Sequence, residues 1–175
     1  IQGSVGVLFE QASIRGHRRE TAFGLQEFPF AVQNHVLTSL STLRGAVDLA
    51  PELESHQREF FREALAIAEH SQVGGWVCSA DRSRGRADRF ADLLSSHDVR
   101  VYRAAGPFDF GGERAEEGEA LVVPFRQRQA RLLESLFERR SEYPDTTFYD
   151  VSTWTLPLAY DLPCREVPKK RWKPV

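Results

Sequence analysis

The sequence predicts an α/β fold, and three consecutive segments predict it. QVGGWVCSAD (72–81) is an apolar run ended by Asp81 and reads as a buried strand. After the loop DRSRGR, the stretch GRADRFADLLSSHD places Phe90, Leu93 and Leu94 at helical spacing. VRVYRA (99–104) is then a second strand, with Val99, Val101 and Tyr102 as its packing candidates. Strand, helix and strand in that order imply a parallel pair joined by a right-handed crossover.

The elements on either side extend this unit. Val5-Gly6-Val7-Leu8-Phe9 reads as a short buried strand, ended by Glu10. TAFGLQEFPF (21–30) is an irregular connection broken by Gly24 and Pro29. AVQNHVLTSLSTLRGAV then carries Val36, Leu40, Leu43 and Val47 at helical spacing, enough for about four turns. Pro51 suits the first turn of the next helix, whose apolar face is Leu53, Phe60, Ala64 and Ile67 or Ala68.

Beyond residue 104, GPFDFGGERAEEGE is a glycine-rich acidic connection, either a lid or plain loop. ALVVP (120–124) is another apolar strand, and RQRQARLLESLFERR a helix with Ala130, Leu133 and Phe137 on one side. FYDVSTWTLPLAYDLP packs on the rest of the fold, with Pro157 blocking a simple central strand. PKKRWKPV reads as a solvated basic tail or a weak charged docking element. The best division falls near residue 71. Residues 1–71 hold one strand and two helices, too little to own a core, while 72–175 form a small three-layer α/β unit.

Composition narrows the function classes. The chain has 175 residues, 41% of them apolar and 27% charged, as in an ordinary globular protein. A formal net charge of -2 gives no reason to expect nucleic acid or an anionic membrane as a partner. No apolar run is long enough to span a bilayer, and nothing at Ile1 reads as a signal peptide. That absence carries no weight, because the chain, without a single methionine, reads as a piece of something longer. The compartment stays open between cytoplasmic and exported. Cys78 and Cys164 form no spaced motif, and Cys78 reads as a small buried hydrophobe.

Several chemistries are open to these residues. His17-Arg18-Arg19-Glu20 and His56-Gln57-Arg58-Glu59 are HxxE pairs, and on a helix residues three apart share a face that can grip one ion. No third ligand is marked, with His35, His70 and His97 isolated, so no self-contained zinc site is expected. No nucleophile elbow surrounds Cys78. The loop after Asp81 lies where α/β sheets place their ligands, and Ser83, Arg84 and Arg86 are the groups that would hold an anion there. The same residues also suit a solvated helix entry. Glu10, a carboxylate at the end of an apolar run, suits either a salt bridge or a general base.

GVLFEQASIRGHRRET followed by GLQEFPFAVQNHVLTSLSTLRGA resembles the closing part of the catalytic domain of zinc carboxypeptidases, the carboxypeptidase A-like superfamily. More narrowly, the chain is similar to a bacterial branch in which that domain precedes a domain like the class I glutamine amidotransferases. VPFRQRQARLLESLFERR and FYDVSTWTLPLAYDLP are similar to that branch's carboxy-terminal domain. The resemblance implies that Glu10 matches the glutamate that helps deprotonate the zinc-bound water and passes a proton to the leaving amine. It leaves Arg15 a weak role beside the substrate. It implies zinc and a peptide or amide substrate in the complete protein, with the zinc ligands and carboxylate-binding residues all upstream of Glu10. This chain alone is then expected to hold no zinc and to be inactive, with the missing amino-terminal part of the peptidase domain as its natural partner. It also implies an amidotransferase-like domain without glutaminase activity, since neither a cysteine elbow nor a downstream histidine–glutamate pair is present. Exposed apolar surface beside residues 5–9, and from it association between copies, is a further expectation. The alternative is a non-catalytic α/β module, flavodoxin-like, binding a ligand near Asp81 to Arg86 and the 106–118 loop.

Overall fold

The computed structural model describes residues 2–10, 14, 16–80, 83–110, 113–139 and 155–172, with the backbone alone for 108–110 and 113–115. The chain divides into two compact units, residues 3–58 and residues 1–2 with 59–175. Among the described residues no helix is long and apolar enough to cross a membrane.

In the first unit, residues 5–9 are not a strand. A strand exists only through the ladder it shares, and no described strand of this unit pairs with the segment. The stretch 21–30 is also more regular than its composition predicts. β1 (Arg18–Thr21) and β2 (Gly24–Glu27) form an antiparallel hairpin around the two residues Ala22 and Phe23. Gly24, at φ +100°, takes a conformation that side chains disfavour. Thr21 Oγ1 donates to the Gly24 carbonyl at 2.9 Å and accepts from Phe23 N–H at 3.1 Å, which fixes the turn. Helix α1 (Phe28–Asp48) starts at once, with Pro29 in its first turn where the missing N–H costs nothing. None of its residues is buried.

Helix α2 (Ala50–His70) follows after Leu49. Of its predicted apolar face, Ala64 and Ala68 are fully buried and Leu53, Phe60 and Ile67 half-buried. The second unit is built on a four-stranded sheet of order β4-β7-β3-β8. Its strands are β3 (Val73–Ser79), β4 (Tyr102–Arg103), β7 (Ala120–Pro124) and β8 (Cys164–Pro168). A separate hairpin of β5 (Phe108–Phe110) and β6 (Glu113–Ala115) occupies the glycine-rich connection.

The predicted parallel pair is not formed. β3 and β4 run in the same direction, yet β7 lies between them, antiparallel to both. Burial explains the order. Ala120, Leu121, Val122 and Val123 are all buried, so β7 belongs inside the sheet, whereas Tyr102 and Arg103 are exposed and suit an edge. The layering differs too. Side chains of α2, of α3 (Arg84–Ser96) and of α4 (Ala130–Phe137) join Trp76, Cys78, Leu121 and Val123 in one core. The opposite face carries Val77, Ala120 and Val122, covered by Ala104, Val167 and Trp172. Within this unit, among the described residues, the helices pack on one face of the sheet and not on both. The molecule is a mixed helix-and-sheet protein compatible with the α/β class.

Trp76 organises the core. It stacks on Phe137 at 4.5 Å between ring centroids and meets Phe125 edge-on at 5.2 Å. Phe90, Leu94, Leu133 and Phe137 sit where helical spacing places them. The segment Arg126-Gln127-Arg128-Gln129, predicted as helix, is a turn ahead of α4, and its alternation has a use. Gln127 accepts from Arg100 N–H at 2.6 Å and donates to the Pro124 carbonyl, while Gln129 donates to the His97 carbonyl at 2.8 Å. The arginines turn outward onto α2. Arg126 pairs with Glu69 at 2.7 Å, and Arg128 lies over the Phe61 ring at 4.2 Å.

Cysteine and tail both depart from expectation. Cys78 is not a lone hydrophobe, because a disulfide joins it to Cys164 across 86 residues of sequence. The two face each other on β3 and β8. Constraining the unfolded chain over such a loop is worth about 4–5 kcal/mol in the chain-entropy account. The tail is likewise not simply solvated. After β8, a short 3-10 turn (Lys169–Arg171) lays Trp172 against Gly74 and Gly75, where side chains on those glycines would collide with the indole. Of the 148–163 segment, residues 155–163 include the short helix α5 (Leu156–Ala159), with Pro157 in its first turn and buried, and the remainder lies outside the described residues.

Candidate functional site

Glu10 lies in the first unit, exposed and outside any strand, directly after Val5–Phe9. Four apolar side chains of that run stay uncovered, with Leu8 the extreme at 80% exposure. Four more, Val36, Leu40, Leu43 and Val47, stand uncovered on α1, Val47 at 75%. Arg15, the weak substrate-side candidate, is outside the described residues.

Neither HxxE pair is arranged as a metal grip. Glu59 is engaged by Arg62, whose Nε lies 2.8 Å from Oε2, and this guanidinium holds the Glu59 carboxyl below its ordinary value. His17 stands at φ +71°, its carbonyl accepting from Phe28 N–H at 2.9 Å and its ring edge-on to Phe28. Among the described residues no group of three or more His, Cys, Asp and Glu side chains is placed to hold a metal ion.

At the other candidate, Asp81 is outside the described residues. Ser83 is the N-cap of α3 and accepts from Arg86 N–H at 3.4 Å. Arg84 is exposed. Arg86 reaches away from the loop to Asp161, 2.7 Å from Nη1 to Oδ2, tying α3 to the turn after α5. Ser83 and Arg86 are therefore both engaged in holding the start of the helix.

A cavity of about 780 Å³ opens in the second unit, lined among others by Trp76, Phe125, Phe137, Arg139, Thr155 and Cys164. Arg139 Nη2 donates to the Cys164 carbonyl at 3.1 Å on its wall. Sequence reading missed this place because its lining comes from β3, α4 and β8, and β8 carries no recognisable strand pattern. Only Cys164 is buried in CREVP, Val167 being half-buried and the rest exposed. The two cysteines were the available signal, since a cross-link requires their strands to be neighbours.

The chain matches no protein-family model, no curated protein and no solved structure.

Proposed function

We propose that the chain is the carboxy-terminal portion of a zinc-dependent metallocarboxypeptidase-like hydrolase. Glu10 is its general base in the complete protein, and residues 72–175 are an appended amidotransferase-like α/β module. The observation that supports the reading is the uncovered apolar surface beside Glu10. Val5, Val7, Leu8 and Phe9 precede the carboxylate exposed, and α1 buries none of its residues. Contiguous exposed apolar surface of this extent marks a face that other elements cover. Strands of a larger peptidase sheet are the covering that the resemblance of residues 6–21 and 24–46 implies. The same strands would pair residues 5–9 and carry Glu10 to a sheet edge. Zinc and its ligands belong to those upstream elements, and the peptide or amide substrate to the site they complete.

The test is made on the complete protein. Glu10→Gln keeps the shape of the side chain and removes its basicity. It is expected to lower release of a carboxy-terminal residue from a peptide by about 10²–10⁴-fold, chiefly in kcat. Full activity in that variant sinks the assignment. On the 175-residue chain, elemental mass spectrometry after dialysis against dilute zinc and then buffer is expected to find no retained metal. Near one zinc per chain would mean that a site is complete here, and the fragment reading would fall.

A second reading has one observation of its own. The described residues of 59–175 carry a buried core and a cavity at the sheet. This favours a non-catalytic ligand-binding or interaction module for that unit, whatever the first unit does.

A further inference from the structure

The Cys78–Cys164 bond sits where a cross-link has the most leverage over one strand. Among the described residues β8 is an edge strand, paired to β3 alone. Ser79 N–H donates to the Pro163 carbonyl at 2.9 Å, so the neighbouring Cys78–Cys164 pair is a non-hydrogen-bonded one, where facing side chains stand closest. Besides its ladder with β3 and the Arg139 bond to the Cys164 carbonyl, β8 contributes little buried surface. Of its five residues only Cys164 is buried, Val167 is half-buried, and Arg165, Glu166 and Pro168 are exposed. β7, on the other side of β3, buries four of its five residues. Beyond β8 the chain is held by Lys169 N–H on the Gln72 carbonyl and by Trp172 against Gly74 and Gly75.

We infer that this disulfide is a redox latch: oxidised, it fastens β8 and the Trp172 turn to β3, and reduction by a cellular dithiol frees them while the rest of the sheet stays folded. The chemistry is thiol–disulfide exchange. A thiolate of the dithiol attacks Cys164 Sγ, whose residue is 6% exposed where Cys78 is sealed. The S–S bond breaks, Cys78 leaves as a thiolate and takes a proton, and a mixed disulfide joins Cys164 to the reductant. The second thiol of the reductant then attacks that bond. It forms the cyclic disulfide of the reductant and returns Cys164, which also takes a proton. Two electrons and two protons pass to the cysteine pair, and the dithiol is oxidised. The freed β3 edge presents unpaired backbone groups on the side that β8 had covered.

The latch does not depend on the peptidase reading and is tested on the chain as it stands. The oxidised protein is treated with dithiothreitol, quenched with an alkylating agent and weighed, with hydrogen exchange followed by mass spectrometry in parallel. Without reductant no cysteine is expected to be alkylated, and with it two. Reduction is expected to speed exchange in peptides covering 164–172 by at least tenfold. Peptides covering 84–96 and 120–124 keep their protection. The C78A/C164A double variant is expected to reproduce the reduced pattern and to ignore dithiothreitol. Alkylation of both cysteines without reductant overturns the proposal, as does unchanged exchange at 164–172 after reduction. Loss of protection throughout overturns it as well, because the bond is then a staple for the whole unit. A double variant with the oxidised pattern does the same.

Discussion

The two units carry similar helical periodicity and meet opposite fates. In residues 59–175 the apolar positions of α3 and α4 are sealed, with Phe90, Leu94 and Leu133 at 0% exposure. In residues 3–58 the equivalent positions of α1 face outward, Leu43 at 66%. Among the described residues of that unit only Gly3 and Ile14 are buried. Amphipathic spacing therefore reports that a helix has a face to cover, and is silent on whether the cover is present. Where the sheet supplies it, a core forms. Where it does not, the helix keeps its backbone bonds and exposes its apolar stripe.

Paired substitutions break or sharpen this contrast most strongly. Phe90→Ala removes a ring enclosed by Phe137 and Tyr160, with centroids 6.0 and 5.3 Å away, and leaves a cavity. It is expected to cost about 3–5 kcal/mol in denaturant-measured stability. Leu43→Ala removes a side chain that touches mainly solvent and is expected to change stability by less than about 0.5 kcal/mol. Comparable losses in the two variants would mean that α1 is covered in solution, by a second copy or otherwise. Equilibrium urea titrations of the two variants beside the parent chain make the comparison.

Between the two extremes lies Gly75, in a core strand with almost no room. A Cβ there would press on the Val123 carbonyl oxygen, a backbone atom that cannot swing aside, and on the Trp172 ring. Gly75→Ala is expected to destabilise by about 1–3 kcal/mol, as other overpacked sites do. Gly45 tells the opposite story on α1, where an added Cβ meets nothing within 4 Å. Gly45→Ala is expected to stabilise slightly through helix propensity, by at most about 1 kcal/mol. Thermal melts that ranked the two substitutions the other way would contradict the packing described for both units.

Which features the sequence disclosed follows from their range. β3, β7, α3 and the core positions Phe90, Leu133 and Phe137 announce themselves through local periodicity, and the structure has them. The β1–β2 hairpin escaped because its signal is a two-residue turn with Gly24 after it, inside a stretch that Pro29 makes look irregular. Sheet order escaped because adjacency of β3 and β4 in sequence says nothing of β7 coming between them. β8 escaped because a five-residue edge strand with one buried side chain has no period to read. The candidate site was legible only as residue types. Glu10 stands out chemically, yet nothing in its own segment says what surrounds it, and Ser83 and Arg86 have local structural work that composition alone does not reveal.

The smallest effect concerns the charges that tie α2 to the turn before α4. The Arg126 guanidinium, hydrogen-bonded to Glu69 and close to it in charge, holds the Glu69 carboxyl below its ordinary value, against the raising effect of desolvation. A carboxyl whose pKa is depressed by folding adds stability above its unfolded value, near 4.5, and loses that contribution as pH falls through the folded value. Both side chains are half-exposed or more, so solvent and salt screen the pair and its worth is small. Glu69→Gln is therefore expected to be slightly less stable than the parent at neutral pH. The gap should close progressively below about pH 4.5, and it should narrow in high salt at any pH. A gap that widened on acidification would place the main partner of Glu69 elsewhere, and the Arg126 contact would then be incidental to the packing of α2. Urea midpoints of both proteins between pH 7 and pH 3 decide it, because the sign of the trend is read even where each difference is small.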